Sequence, residues 1–511
     1  MTNMARIELL PLGKTLLIET GTPLQDVLFA RGVEFPCGGH GRCRGCKIKV
    51  LHGVLPPTAD EQRVLSEAEL AAGWRLACRT KAAPDMKIEL AQWEAPILAD
   101  HSVFNFTPQD GLGVAVDLGT TTLAGQLLDL RTGQVLAVRT ALNVQAKHGA
   151  DVMSRIEFAL ADSGLNVLRD LVRDQIESII QELLSSADGH AGELRNIVIV
   201  GNTAMHHLFC GIHPGPLAQT PFEPEDDGLK IFRATELGWK LAGAPLVQFL
   251  PCLGGFVGSD ILAGILATKL HECSQLSVLL DLGTNGEIVV GNRERLVCAS
   301  TAAGPAFEGA RISMGMRAAT GAISEVSVQG GQLHCHVLGH ATPRGLCGSG
   351  LVDAVASSLE LGWIKPSGRL AQGNSLVLSP PVTLSQADIR ELQLAKGAIA
   401  AGVRMLVKTW GATPVDVERV YLAGAFGNYI NRASARRIGL IDFPLEKVEP
   451  SGNTALLGAK LALFRLDESD GSCGPVLEKT RHISLHEDPQ FHDIYAEEML
   501  FPDLVKGVAE G

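Results

Sequence analysis

No uninterrupted apolar stretch in this chain reaches the roughly 18 residues that a membrane-spanning helix needs, so no membrane partner is expected. The opening Met1-Thr2-Asn3-Met4-Ala5-Arg6 runs straight into a strand-like segment without the apolar core of a cleavable leader, and a cytoplasmic protein is expected. Positive charge is in short supply. Lysine and arginine number 44 against 56 acids, a formal net charge of −12. That balance argues against nucleic acid or an anionic membrane surface as the main partner. Disulfides are not expected either, because cysteines in a long cytoplasmic chain serve as metal ligands or buried thiols.

What is present is length, glycine and cysteine. The 511 residues exceed what one hydrophobic core organises, so two or more domains are expected. There are 56 glycines, which favour tight turns and close backbone approach to ligands, and 11 cysteines. Residues 5 to 90 read as a small β-rich domain. Ile7 to Ile18 resembles two short strands around a Pro-Gly turn, and Cys46 to Leu51 alternates charged and apolar residues. Residues 91 to 110 carry no sustained period and read as a linker.

From Gly113 the texture changes. Gly113 to Leu118 is a buried-strand pattern ending in an acid, Asp117. Gly119-Thr120-Thr121-Thr122 turns, Leu123 to Leu130 returns, and Gln134 to Ala141 completes a meander. Asn166 to Leu184 has helical apolar spacing, and Asn196 to Val200 is a strand ending at Gly201. The pattern then recurs: Ser277 to Thr284 repeats strand, acid and Gly-Thr turn, followed by Glu287–Val290 and Leu296–Cys298. A helix from about Gln386 to Trp410 is introduced by Ser385 and Asp388 as a capping box. Val420 to Ala423 is a strand ending at Gly424. Asp-Leu-Gly-Thr occurs at 117–120 and 281–284 in matching contexts, which reads as duplication of a whole lobe.

Four cysteines have ligand spacing. Cys37 and Cys43 are separated by five residues, Cys43 and Cys46 by two, and Cys78 follows after 31 more. A tight loop plus one distant anchor suits a [2Fe–2S] cluster. The loop from Cys37 to Cys46 holds four glycines that let the backbone wrap and aim N–H groups at sulfur, and Arg42 and Arg44 can offset cluster charge. Plant-type ferredoxins place four residues in the first gap, and five resembles the adrenodoxin-like variant of that fold. Four-cysteine zinc sites usually need two short hooks, and only one exists here, so iron–sulfur outweighs zinc. The other seven cysteines, 210, 252, 273, 298, 335, 347 and 473, share no ligand spacing and read as small buried apolar residues.

A hairpin turn rich in glycine and threonine presents N–H groups and hydroxyls to phosphate oxygens. An acid at the end of its first strand can hold Mg²⁺ directly or through water. Either turn alone is weak evidence. The pair, with Asp117 and Asp281 164 residues apart, gains weight from a third turn, Leu422-Ala423-Gly424-Ala425-Phe426-Gly427-Asn428. Small residues there let an adenosine lie against the backbone, although close strand–helix packing explains that turn equally well in isolation.

These three turns resemble the phosphate-1, phosphate-2 and adenosine motifs of the actin-like ATPase and sugar-kinase superfamily. Joined to an N-terminal [2Fe–2S] module, the chain is similar to the reductive activators of corrinoid proteins. Asn143–Ile156, Gly201–Met205, Ala303–Ala310, Cys347–Gly350 and Leu394–Ala398 also fit that family. The resemblance implies a β-grasp ferredoxin-like α+β domain (1–92), a linker (93–111), two α/β lobes of a duplicated RNase H-like, actin-like ATPase (112–275 and 276–466) and a C-terminal tail (467–511). It implies ATP and Mg²⁺ as cofactors beside the cluster. Asp117 and Asp281 would organise Mg²⁺ or water. Gly119, Thr120, Thr121, Gly283 and Thr284 would cradle phosphate, and Gly424 and Ala425 would flank adenosine. The implied partners are a corrinoid protein of a methyltransferase system and a low-potential electron donor, with a homodimer suggested.

Some residues stay open between roles. Lys396 can reach a nucleotide from its helix or sit solvated on the surface. Gly348-Ser349-Gly350 can meet phosphate or cap a helix. His206 and His207 read as structural or partner-facing. Three other functions compete: a small-molecule kinase with a redox-sensing cluster, an electron carrier whose actin-like part only docks partners, and an activator of a different metalloenzyme. The segment after Asp467 is polar and acidic and receives no role.

Overall fold

The computed structural model describes residues 4–10, 14–29, 33, 41, 46–53, 55–90, 106–187, 192–465 and 473–503. Alternation builds the first domain. In Met4–Leu10 the inward residues Ala5, Ile7 and Leu9 are buried while their neighbours face out. The strand pairs antiparallel with Lys14–Glu19 and parallel with Met86–Leu90. Lys47–His52 and Trp74–Leu76 complete a five-stranded mixed sheet in the order second, first, fifth, third, fourth. Leu24 and Leu28 of the helix Leu24–Phe29 join the core of this sheet, which is the β-grasp arrangement expected. Residues 91–105 of the expected linker lie outside the described residues.

Two six-stranded sheets follow, and they share one plan. In the first, Leu112–Leu118 is central: antiparallel to Thr122–Asp129, which pairs with Val135–Leu142, and parallel to Leu194–Gly201 on its other side. In the second, Ser277–Leu282 is antiparallel to Gly286–Gly291, which pairs with Leu296–Thr301, and parallel to Arg419–Ala423. The duplicated tetrapeptide thus sits at equivalent hairpin tips. The long helix Gly164–Ser186 covers the first sheet with Leu168, Val172, Ile176, Ile180 and Leu183, a 3.6-residue stripe. Gln386–Trp410 does the same for the second lobe. It starts at Ser385, whose hydroxyl takes the Asp388 N–H while the Asp388 carboxylate takes that of Ser385.

The lobes meet over two helices, Ser259–Thr268 and Thr454–Leu463. They cross so closely that a Cβ on Gly458 would lie 2.0 Å from the Ala263 carbonyl oxygen. Leu262, Leu456 and Ala459 from these helices share one core with Val198 of the first sheet and Leu279 and Val289 of the second. Among the described residues, no helix is long and apolar enough to cross a membrane.

Two expectations need correction. The segment after residue 472 belongs to the second lobe: Thr480–His482 pairs parallel with Leu296–Thr301, and Pro489–Glu498 packs on Gln386–Trp410. Within it Val476, Leu485, Ile494 and Phe501 are buried. Lys396 neither reaches the cleft nor meets solvent. It is fully buried, and its Nζ donates to the carbonyls of Leu500 at 2.8 Å and Gly439 at 3.4 Å.

Candidate functional site

The cysteine end is built on the strand pair Lys47–His52 and Trp74–Leu76. Cys46 immediately precedes the first strand. Cys78 sits in a short 3₁₀ turn, Ala77–Arg79, that follows the second. The Ala77 N–H donates to the Cys46 carbonyl at 2.9 Å, and the Thr80 hydroxyl closes the turn on the Leu76 carbonyl at 2.8 Å. The buried Glu61 carboxylate accepts the Leu76 N–H at 2.7 Å and caps its own helix through Thr58, which braces the turn from behind. The two sulfurs stand 3.4 Å apart, far beyond a disulfide length of about 2.05 Å and near the span of two thiolates on one tetrahedral metal. Gly41 adopts φ +68° against Arg79: a Cβ there would lie 2.4 Å from Arg79 Nε, and that guanidinium pairs with Asp60 at 3.0 Å. Cys37 and Cys43 lie outside the described residues.

The cleft between the lobes gathers the acid-tipped hairpins. In the first turn the Gly119 N–H donates to the Thr122 carbonyl at 3.1 Å, and a Cβ on Gly119 would come within 2.6 Å of that oxygen. Two asparagines hold this turn. Asn143 donates its side-chain N–H to the Gly119 carbonyl at 2.9 Å and its backbone N–H to the Thr121 carbonyl at 2.8 Å. Asn202 donates to the Thr120 hydroxyl at 2.8 Å while capping the helix Thr203–Cys210. In the second turn the Gly283 N–H bonds the Asn285 carbonyl at 3.0 Å, and the Thr284 hydroxyl donates to the Glu308 carboxylate. The third turn arrives at the same place. Gly424 holds φ +80°, and a Cβ on it would lie 2.6 Å from Asp281 Oδ1. Ala425 follows it in the first turn of the helix Gly424–Tyr429.

Charge in the cleft is strongly perturbed. Burial pushes Asp117 up to about 6, opposed by the hydrogen bond from Asn453. Burial, and then the neighbouring Asp117, push Asp281 up to about 7. Asp260, in the first turn of the helix Ser259–Thr268, rises to about 8 through burial and then the fields of Asp281 and Asp117. Glu287, directly opposite Asp281 in the strand register, is raised by burial and then by the fields of Asp260 and Asp281. Four acids therefore share one desolvated space, the setting in which an incoming cation gains most. Among the described residues no three acids, imidazoles or thiols converge to grip a metal on their own. This donor set suits a cation that brings much of its own shell, as Mg²⁺ does with phosphate and water.

Other expected residues sort out differently. Ser349 donates its hydroxyl to the Ser324 carbonyl at 2.9 Å in the first turn of the helix Gly348–Glu360, which ties that helix to the neighbouring strand and leaves its N-terminus without a side-chain cap. His206 and His207 are buried and bond the carbonyls of Gly228 at 3.1 Å and Thr203 at 2.9 Å, a structural arrangement. Burial lowers His206 to about 4, so the pair is neutral near pH 7. Of the seven remaining cysteines, Cys252, Cys298, Cys347 and Cys473 are buried and the other three only partly so. Asn143 and Asn202 lie in segments that the resemblance singled out but were given no role, and Asp260 and Asn453 were missed from the sequence. The signal for Asp260 was present as an acid just after Gly258-Ser259 at a helix start.

Comparison with known proteins agrees along the whole chain. A family model described as the C-terminal domain of RACo, the ASKHA domain, matches residues 275–508. A model of the RACo middle region matches 112–273, and a 2Fe–2S iron–sulfur cluster binding domain matches 7–83. The chain is 33% identical over 446 residues to the corrinoid activation enzyme RamQ of Eubacterium limosum, covering 80% of this chain and 74% of that one. It is 28% identical over 390 residues to the [Co(II) methylated amine-specific corrinoid protein] reductase of Methanosarcina barkeri, covering 70% and 71%. Among solved structures, a reductive activator for corrinoid, iron–sulfur protein aligns over 98% of both chains with a TM-score of 0.68 and 27% identity.

Proposed function

Because the chain belongs to the family of reductive activators of corrinoid proteins, we propose that it uses ATP to pass one electron from its own [2Fe–2S] cluster to a cobalt(II) corrinoid protein. One observation carries this reading: two acid-tipped hairpins and a glycine turn converge on one cleft in a chain that also bears the cysteine turn. Cys37, Cys43, Cys46 and Cys78 would hold the cluster, which supplies a one-electron store. Asp117 and Asp281 would hold Mg²⁺ or its water. The backbone of Gly119, Thr120 and Thr121, and of Gly283 and Thr284, would take the phosphates from either side, and Gly424 and Ala425 would flank the adenosine. A low-potential donor in the cytoplasm would reload the cluster.

The energetics explain why the two halves share a chain. Plant-type [2Fe–2S] centres lie near about −400 mV. If the cobalt couple lies lower by some 100 mV, transfer is uphill by about 2.4 kcal/mol, since 59 mV is a factor of ten for one electron. Nucleotide binding closes that gap only if it favours the client-bound arrangement of the lobes over the free one. Reduced protein, Mg-ATP and a cobalt(II) corrinoid protein, mixed without oxygen, should develop cobalt(I) absorbance. ATP-independent reduction, or none in the presence of an intact cluster, would overturn the reading.

A further inference from the structure

The strand that ends at Leu142 leads into a place where two domains share one short segment. Leu142 is 3% exposed, and its side chain belongs to the hydrophobic core of the N-terminal domain, beside Ile7, Leu9 and Ile88. Val144 and Ala146 pack against the same core. Between them, Asn143 is fully buried and makes the two hydrogen bonds that hold the Gly119–Thr121 turn. The segment is fixed on its far side as well. Gln175, on the helix Gly164–Ser186, accepts the Val144 N–H at 2.9 Å and donates to the Leu142 carbonyl at 2.6 Å. The second lobe holds the N-terminal domain at another point: Arg344 bonds Glu89 at 2.6 Å, and its guanidinium lies 5.7 Å from the centre of the Trp74 ring, in the strand that leads to Cys78.

We propose that Leu142-Asn143-Val144 is a mechanical relay that carries the state of the phosphate turn into the cluster-bearing domain. Asn143 is the positioning residue at the nucleotide end, and Leu142 and Val144 are the knobs at the ferredoxin end. A shift of the Gly119–Thr121 turn moves Asn143, and the two apolar neighbours move with it because the backbone joining them is short and pinned by Gln175. Packed cores respond to such displacements in discrete steps. The Arg344–Glu89 bond ties the same domain to the other lobe, so closure of the cleft cannot leave the ferredoxin domain unmoved. The inference rests on the reading that this turn meets nucleotide.

Amide hydrogen exchange on the full-length, cluster-loaded protein tests it, with and without a saturating non-hydrolysable Mg-ATP analogue. Analogue binding is verified separately by calorimetry. In the wild type, exchange in Met4–Leu10 and Met86–Leu90 should change by about tenfold on binding, the scale of a local opening equilibrium biased by one docking contact. Leu142→Ala should keep its visible cluster absorbance and bind the analogue within about twofold of wild type, because its side chain lies in the ferredoxin core and the backbone that meets the turn is unchanged. Its ferredoxin strands should no longer respond. Asn143→Asp, which keeps the shape but removes the donor to Gly119, should lose the response even at saturating analogue. A response confined to the lobes in the wild type, or one of full size in Leu142→Ala, would overturn the relay. Absence of calorimetric binding in the wild type would instead overturn the nucleotide reading.

Discussion

Asn453 donates from Nδ2 to Asp117 Oδ2 across 2.9 Å, joining two residues 336 positions apart. The same side chain caps its own helix, its Oδ1 accepting the Leu456 N–H at 2.8 Å. One residue of the second lobe thus fixes both the head of the Thr454–Leu463 helix and the ionisation of an acid in the first lobe. Asn453→Ala should lose about 1 kcal/mol of stability from the cap alone. It should also remove the interaction that favours the Asp117 carboxylate, raising that acid further above about 6. If ATP turnover needs the charged form, the acidic limb of its pH profile should move to higher pH. Denaturant melts and a pH–rate profile check both parts, and an unmoved limb would remove Asp117 from the reaction.

Mg-nucleotide binding should expel protons. Asp117, Asp281 and Asp260 are pushed up to about 6, 7 and 8, so at pH 6.5 a share of these acids carries protons. A cation in the cleft favours their charged forms and lowers all three. The sign for folding is the reverse of an ordinary salt-bridged acid. The folded chain holds more of these protons than the unfolded one between about pH 4 and 8, so stability falls as pH rises through that window. Calorimetry in buffers of different ionisation enthalpy should find proton release near pH 6.5 that fades above pH 8. Heats independent of the buffer would contradict the placement of the cation among these acids.

The two turn glycines of the second lobe should respond differently to a methyl group. A Cβ on Gly283 meets only the Asn285 carbonyl oxygen, at a comfortable 3.7 Å. Gly283→Ala should therefore leave the melting temperature nearly unchanged and, on the proposed reading, weaken nucleotide binding, because the methyl would enter the space proposed for phosphate. Gly424→Ala should harm the fold locally as well. Its φ of +80° disfavours alanine by about 1 kcal/mol, and the new carbon would lie 2.6 Å from Asp281 Oδ1. Thermal melts and nucleotide titrations on the same two variants separate these outcomes.

Replacing Cys46 or Cys78 by serine should abolish the visible absorbance obtained on anaerobic iron–sulfide reconstitution. Nucleotide binding should survive, because the cysteine turn and the cleft are separate structures joined through Leu142–Val144 and Arg344. The 3.4 Å between the two sulfurs makes them a single functional pair, so either variant should behave like the double one. A coloured Cys78→Ser protein would show that the cluster uses another ligand set.

Much of the scaffold was readable because its signals are local. Ser385 and Asp388 announced the helix Gln386–Trp410, and the repeated Asp-Leu-Gly-Thr marked both hairpin tips. The spacing of Cys46 and Cys78 predicted that two distant sulfurs would meet. What stayed hidden acts through tertiary adjacency. Nothing near Asn453 in sequence reveals Asp117, and nothing near Asn143 reveals that its neighbours lie in another domain's core. Lys396 looked like either a ligand or a solvated charge because a lysine in a helix gives no sign that a returning segment will cover it. The many charged and polar residues of that segment concealed the apolar ones, Val476, Leu485, Ile494 and Phe501 among them, that bring it back.

Lys396 provides the clearest test of that covering segment. Burial lowers it to about 8, and its ammonium is held by two carbonyls. The folded form of the protein therefore disfavours the charged lysine. Between about pH 8 and the ordinary lysine value of 10.5 the unfolded chain binds the extra proton, so this residue should make stability rise with pH across that interval and flatten below it. Lys396→Met should abolish the rise. It should also strand the carbonyls of Leu500 and Gly439, at a loss of about 1–3 kcal/mol, and speed proteolysis of the chain after Met499. Mg-ATP affinity should stay within about twofold of wild type, since the lysine faces away from the cleft. A variant that folds normally but no longer binds nucleotide would return Lys396 to the nucleotide site.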